Sequence, residues 1–258
     1  MISEKLQTQL REQYNPDGSL LRKGQLRMLE ILKCVDKICR KHNIPYWLSS
    51  GTLLGAVRHG GFIPWDDDLD IEMLRKDYIK LLPILKKELP SQYLLQDSNT
   101  EEFYPHLFVK IRDKNSKIIE PGKFSFKHQG VFIDIFSLEK SFYPLFYLSS
   151  KLYNNLCYRF SHKKKFFQLN LFILNHFVFP IFRLISKLNS TTTLRHTYGM
   201  NYFKERKITE IFPLIEIPFE DSFFFAPANY DIYLSRMFGD YMKIPHNKIY
   251  HGNIEWIN

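Results

Sequence analysis

Residues 49–73 read SSGTLLGAVRHGGFIPWDDDLDIEM, and their spacing decides how the chain is to be read. From Asp66 onward the acids Asp66, Asp68, Asp70 and Glu72 fall at every second position, while Leu69, Ile71 and Met73 take the opposite phase. Side chains alternate faces along a strand, so a strand over 68–73 carries carboxylates on one face and apolar groups on the other. Like charges on one face repel, and folding does not ask for them. A divalent cation relieves that repulsion, and hard oxygen ligands suit Mg²⁺ or Mn²⁺. The competing reading is a solvated acidic turn. Ahead of the acids stand Ser50-Gly51-Thr52, Gly55, Gly60 and Gly61. Glycine lets backbone N–H groups approach a phosphate, and a helix opening at Thr52 aims its positive end at that anion. Followed about fifteen residues later by Asp-x-Asp on a strand, such a turn points to metal-assisted nucleotidyl or phosphoryl transfer.

A third carboxylate completes such a site. In GVFIDIF, residues 130–136, Asp134 is the single charge in an apolar run. A buried carboxylate is costly unless hydrogen-bonded, paired or bound to a metal. The alternative is a strand-end Asp that caps a loop.

These residues carry a family resemblance. YWLSSGTLLGAVRHGGFIPWDDDLDI resembles the signature of the LicD family, which includes phosphocholine transferases and is similar to fukutin and fukutin-related protein. GVFIDIF resembles the family's second carboxylate strand, and FAPANYDIYLSRMFGDYMKIP its C-terminal segment. The resemblance covers roughly residues 24–140 and 205–251, and residues 141–204 lie outside it. It implies an α+β fold like that of the polymerase-β-like nucleotidyltransferases, a mixed sheet with helices. It also implies Asp68, Asp70 and Asp134 as catalytic metal ligands, with Asp66 and Asp67 beside the site. Ser50, Gly51 and Thr52 then grip a diphosphate, and Lys110 contacts a phosphate. The implied reaction moves a substituted phosphate, phosphocholine or similar, from a CDP-linked donor to a hydroxyl of a cell-surface glycan or lipid-linked glycan. Two alternatives stay open: nucleotidyl or sugar-phosphate transfer on the same fold, and a non-catalytic membrane- or glycan-binding protein that has kept it.

The net charge of +9 is concentrated. Residues 142–204 hold Lys151, Arg159, Lys163, Lys164, Lys165, Arg183, Lys187, Arg195 and Lys204, and no Asp or Glu. The same stretch is rich in Phe, Leu, Ile and Tyr. FFQLNLFILNHFVFPIFRLISKL, residues 166–188, approaches a membrane span but is interrupted by Gln168, Asn170, Asn175, His176, Pro180 and Arg183. This pattern suits helices lying on an anionic membrane surface, or equally a helical subdomain folded over the catalytic part. No nucleic-acid-binding motif accompanies the basic stretch, so nucleic acid is not an expected partner. Cys34, Cys39 and Cys157 form no pairable framework and read as reduced thiols. MISEKLQTQLREQ lacks the apolar run of a signal peptide, so the expected location is cytoplasmic, peripheral to the inner membrane face if the insertion meets lipid.

The expected organisation is a catalytic core over 1–140, a basic aromatic helical insertion over 141–204, and a C-terminal part of the catalytic domain over 205–258. Met28, Ile31, Leu32, Val35, Ile38 and Cys39 recur at helical spacing within 24–42. A short strand over 44–48 leads to the glycine turn, and a helix over 77–89 holds Pro83. Residues 110–113 and 117–120 read as a hairpin pair, and 131–136 as a strand. Residues 145–188 read as helical with a break at Pro180. Near the end, Tyr230, Leu234 and Phe238 predict a helix with an aromatic core face. Arg58 and His59 lie between the glycine turn and the acids, where a cation could meet a phosphate; packing is an equal reading for His59. Lys110 and Arg112 share a strand face, which could equally be solvated. Tyr46 and Trp47 could stack a base or a choline-like cation, although core packing is commoner. Asp240 reads as a turn cap or a contact to a nucleotide hydroxyl, and His251 has no assigned role.

Overall fold

The computed structural model describes residues 1–101, 103–118, 126–160 and 163–245; His251 and residues 119–120 of the expected hairpin lie outside them. Two helices, α1 (Glu4–Tyr14) and α2 (Leu20–Lys41), come first. Ser19 caps α2 by accepting the Arg22 N–H at 3.2 Å. The expected stripe from Met28 to Cys39 is buried along its length. Then follow β1 (Trp47–Leu48), α3 (Ser50–His59), β2 (Asp70–Leu74), α4 (Arg75–Glu88), β3 (Tyr93–Gln96), β4 (Val109–Asp113) and β5 (Phe132–Lys140). These five strands form a mixed sheet in the order β1-β2-β5-β4-β3. The central pair β2 and β5 is parallel, whereas β1–β2, β3–β4 and β4–β5 are antiparallel. Strand β4 therefore pairs with β3 and β5 rather than closing a hairpin around Asn115 and Ser116.

Strand β2 starts at Asp70, two residues later than expected. Gln25, fully buried in α2, donates to the carbonyls of Ile63 (3.3 Å) and Asp66 (2.8 Å) and holds that stretch as a loop. Sheet pairing begins where Ser49 donates to the Asp70 carbonyl at 3.1 Å. Asp66 and Asp68 thus sit on a loop leading into the strand, while Asp70 and Glu72 stand on the strand itself.

After β5 the chain leaves the sheet. Helix α5 (Tyr143–Tyr153) runs on through a π-helical turn, and α6 (Lys164–Ile173) passes through a second π turn into α7 (Phe179–Leu188). Pro180 does not end the helix: it follows closely on the π turn Leu174–Val178, a local widening that accommodates a residue without an N–H. The helix stays unbroken from Lys164 to Leu188, long and apolar enough to cross a membrane by length and composition, with 28% of its most apolar window buried in the protein. Phe146, Tyr153, Cys157, Phe167, Leu174 and Phe179 make a second apolar core between these helices. Strand β6 (Thr193–His196) then returns to pair with β5, and β7 (Arg206–Lys207) extends the sheet. Helix α8 (Ile208–Ile211), the hairpin β8 (Leu214–Phe219) and β9 (Ser222–Pro227), and α9 (Tyr230–Phe238) follow. The buried face of α9 is Tyr233, Leu234 and Met237 rather than the expected Tyr230, Leu234 and Phe238. Tyr233 turns inward to reach a buried carboxylate, which leaves Phe238 exposed at the rim of a cleft.

Candidate active site

The parallel pairing of β2 and β5 sets Asp70 directly beside Asp134. The loop before β2 brings Asp66 and Asp68 to the same place, against the N-terminus of α3. Gly51 is required there: a Cβ at this position would lie 2.7 Å from an Asp66 carboxylate oxygen and 4.0 Å from one of Asp68. Ser50 opens the helix with φ +47°, a left-handed conformation that costs a non-glycine residue about 1–3 kcal/mol. Ser49 at the helix cap makes no side-chain cap bond, and its buried hydroxyl has no hydrogen-bond partner. The first N–H groups of α3 thus face the carboxylate loop without a side-chain acceptor from the cap. Ser50, Gly51, Asp66, Asp68 and Asp70 line a cleft of about 580 Å³ with Arg58, Tyr202, Asp240 and Lys243, while Asp134 lies buried behind Asp70.

The carboxylates raise one another's proton affinity. Burial, then the charges of Asp68 and Asp67, lifts the Asp66 carboxyl well above the usual range. Burial, then Asp68, Asp134 and Asp66, does the same to Asp70. Burial lifts Asp134 to about 6, with Lys110 pulling it down and Asp68 pushing it up. Such a donor set is short of positive charge, and its hard oxygens fit Mg²⁺ or Mn²⁺. Among the described residues no three acidic, His or Cys side chains are gathered closely enough to hold a metal ion. The cation on Asp134 is the Lys110 ammonium, at 2.8 and 3.1 Å from its two oxygens.

Several expected roles change. Lys110 is buried, paired with Asp134 and seated 3.4 Å from the Phe132 ring centroid, so its strand face is not solvated and its charge already has a partner. Thr52 is buried, and its hydroxyl accepts the Asp70 N–H at 2.8 Å; the side chain positions β2 and is turned away from the cleft. Arg58 lines the cleft, yet donates to the carbonyls of Tyr241 (2.7 Å) and Lys243 (3.3 Å), tying down the C-terminal segment. His59 is a packing residue. Burial, then Arg58, pushes it down to about 3, and its neutral ring accepts from Arg58 Nε and donates to Gln7. Tyr46 and Trp47 are fully buried and cannot stack on a ligand. Asp66, expected beside the site, lines it. Lys243, at the exposed rim, went unread because nothing in its local sequence sets it apart.

Glu72 obeys the same alternation as Asp70 but is no part of the cleft. It accepts from Arg206, His196 (2.9 Å), Tyr233 (2.8 Å) and Trp47 (3.2 Å). Burial would push its carboxyl up, but Arg206 and His196 pull it down to about 2. Between this brace and the cleft runs a row of rings. Phe136 stacks on His196 at 5.0 Å between centroids, and His196 on Tyr202 at 5.0 Å.

Residues 43–143, which hold α3, β2 and β5, match the family model described as LicD/FKTN/FKRP, nucleotidyltransferase domain. Over this stretch the chain resembles LicD-family proteins. The chain is 34% identical over 152 residues to the lipopolysaccharide cholinephosphotransferase LicD of Haemophilus influenzae, covering 56% of this chain and 55% of that protein. It is 39% identical over 62 residues to the ribitol-5-phosphate transferase FKTN of Mus musculus, covering 24% and 13% of the two chains. It is also 30% identical over 126 residues to mannosyltransferase regulator 4 of Saccharomyces cerevisiae, covering 46% and 10%. The match thus spans about half the length of the Haemophilus relative and far less of the other two. The matched stretch ends at the start of α5, and the helical insertion lies beyond it.

Proposed function

We propose that the chain transfers a substituted phosphate, phosphocholine or a similar group, from a CDP-linked donor to a hydroxyl of a cell-surface glycan, on a polymerase-β-like scaffold. The observation that carries this reading is the gathering of Asp66, Asp68 and Asp70 in one cleft with the uncapped start of α3, with Asp134 paired beside Asp70 on the adjacent parallel strand. The backbone N–H groups at Ser50 and Gly51 bind the donor's diphosphate, with Lys243 at the rim as a second cation. Asp68, Asp70 and Asp134 would hold Mg²⁺ or Mn²⁺, which offsets the charge of the phosphates and of the departing nucleotide. Asp134 orients or deprotonates the acceptor hydroxyl as its oxygen attacks the phosphorus distal to the nucleoside, the proton passing to the carboxylate. The bond from that phosphorus to the bridging oxygen breaks, and CMP leaves. The partly exposed ring of Tyr202, on the cleft wall, offers a stacking face for an acceptor sugar.

The insertion supports a peripheral membrane position for this reaction. Phe172, Phe177, Ile181, Leu184 and Leu188 are each more than half exposed on one continuous helix, and Lys163, Lys164 and Lys165 are exposed at its start. Apolar side chains enter the acyl boundary while the lysines meet anionic head groups. Neutralising Lys151, Arg159 and Lys163 to Lys165 should release the chain from anionic vesicles; unchanged partitioning would sink this part.

The transfer reading is tested by CMP release from CDP-choline, CDP-ribitol, CDP-glycerol and CDP-ethanolamine, with Mg²⁺ or Mn²⁺ and a lipid-linked glycan extract. Release with one donor, lost in Asp68→Asn and Asp134→Asn, is the expected result. Nucleotide retained on the product would favour nucleotidyl transfer. Silence with every donor from folded, acceptor-supplied protein would favour a non-catalytic role, which the resemblance to a protein named as a regulator keeps in view.

A further inference from the structure

A second cavity lies away from the carboxylates, where the helical insertion meets the sheet. It measures about 370 Å³, and its walls include Arg75, His106, Asn175, His176, Arg183 and Thr197. Arg75 comes from the first turn of α4, Asn175 and His176 from the π turn after α6, and Arg183 from α7. The catalytic-side and insertion-side elements therefore each contribute one guanidinium.

Those two guanidiniums share one carboxylate. Arg183 makes a bidentate contact to Glu139 at 2.5 and 3.1 Å. Glu139 Oε1 also accepts from the Thr197 hydroxyl (2.9 Å) and the Tyr198 N–H (3.1 Å), while Oε2 holds the Arg183 Nε contact. Arg75 reaches the same carboxylate only at 3.6 Å, too long for a good hydrogen bond, with its side chain one-third exposed. The other acid on the wall, Asp97, is paired with Lys86 at 3.2 Å. One guanidinium charge is thus left over at the cavity wall. His106, on the same wall, is held neutral: burial, then Lys110 and Arg112, pushes it down to about 3. Apolar side chains, among them Leu82, Leu107 and Leu171, line the remainder.

We propose that this cavity binds a phosphate group carried on an apolar or small organic arm, clasped by Arg75 with Arg183 behind it. Guanidinium forks match phosphate oxygens in pairs, and Asn175 with the neutral His106 can donate to the oxygens that remain. The volume exceeds that of a bare phosphate, so the leucine-lined part takes the first atoms of the ester. The wall formed by α6 and α7 is the inner side of the helix whose outer side exposes Phe172, Phe177 and Leu184. A phosphate at this position therefore has two physical sources with the same chemistry: a lipid head group entering beside the helix, or a soluble phosphate ester. None of the cleft carboxylates takes part, so the site stands apart from the transfer reaction.

The test is a calorimetric titration of the full chain, without divalent cation, using inorganic phosphate, glycerol 3-phosphate and short-chain phosphatidic acid below its micelle concentration. Wild type and Asp68→Asn should bind alike, which separates this site from the cleft. Arg75→Gln, which removes only a 3.6 Å contact from the fold, should weaken binding about tenfold or more. Arg75→Lys should recover part of it by charge without the fork. Tighter binding of phosphatidic acid than of glycerol 3-phosphate assigns the site to lipid, and equal binding assigns it to a soluble ester. The proposal is overturned if none of the three ligands saturates, if Arg75→Gln binds as wild type does, or if Asp68→Asn alone removes the signal.

Discussion

Asp70 and Glu72 stand two residues apart on one strand, on one face, and meet opposite fates. Asp70 lies among Asp66, Asp68 and Asp134 and is driven toward its protonated form. Glu72 is fully buried, yet stays ionised because Arg206, His196, Tyr233 and Trp47 converge on it. One end of β2 gathers carboxylates that raise one another's proton affinity, and the other end uses its charge to hold the sheet to β6, β7 and α9. The difference teaches that alternation fixes which face a carboxylate takes, while its role depends on what the distant chain delivers there. Arg206 lies 134 residues away from Glu72.

That contrast can be broken in several ways. The largest effect is expected from Arg206→Met, which leaves Glu72 buried without its cation and should cost about 3–5 kcal/mol in urea denaturation at neutral pH. A loss below about 1 kcal/mol would end the description of Glu72 as a brace. Asp70→Asn should do the reverse: relieved repulsion leaves stability equal or higher, while CMP release falls about 10²–10³-fold. Parallel loss of folding and activity in that variant would erase the distinction between the two ends. A smaller effect is expected from Gly51→Ala. Its Cβ would displace the Asp66 carboxylate, and turnover should fall about tenfold with little change in the melting temperature.

The pH dependence sharpens the same contrast. Asp134 sits at about 6 against an ordinary 3.8, so its folded-state advantage is full below about 3.8 and lost as pH rises through 6. Asp66 and Asp70 are raised in the same direction. In EDTA the melting temperature should therefore fall between pH 5 and pH 7.5, and Asp134→Asn should flatten that fall. Glu72 has the opposite sign. Lowered to about 2 from 4.5, it stabilises above 4.5, and that contribution drains away as pH drops through 2. A melting temperature that climbs from pH 5 to 7.5 in EDTA would contradict the repulsion ascribed to the cleft.

Much of this was legible in the chain itself. The helical stripe of α2, the strand carrying Asp70 and the strand carrying Asp134 follow from periodicity, and the glycine turn marked the start of α3. What escaped depended on long-range packing. Gln25 in α2 holds the Asp66 loop, so the acid row breaks into loop and strand at a point that no local spacing marks. Lys110 looked like a phosphate ligand because its neighbour on β5 is set by sheet register rather than by sequence distance. Pro180 looked like a break, yet the helix runs on through it behind a π turn that no local spacing marks. Tyr233 rather than Phe238 turned inward because Glu72 needed a donor there.

The central claim is that the acids of one strand divide into a cation-seeking cleft and a self-sufficient brace. Mn²⁺ titration at pH 7.5, followed by electron paramagnetic resonance on wild type, Asp70→Asn, Asp134→Asn and Glu72→Gln, tests it most directly. The account predicts saturable binding in wild type and in folded Glu72→Gln, and its loss in both Asp variants. Binding that survives Asp70→Asn and Asp134→Asn, or that vanishes in folded Glu72→Gln, would contradict it.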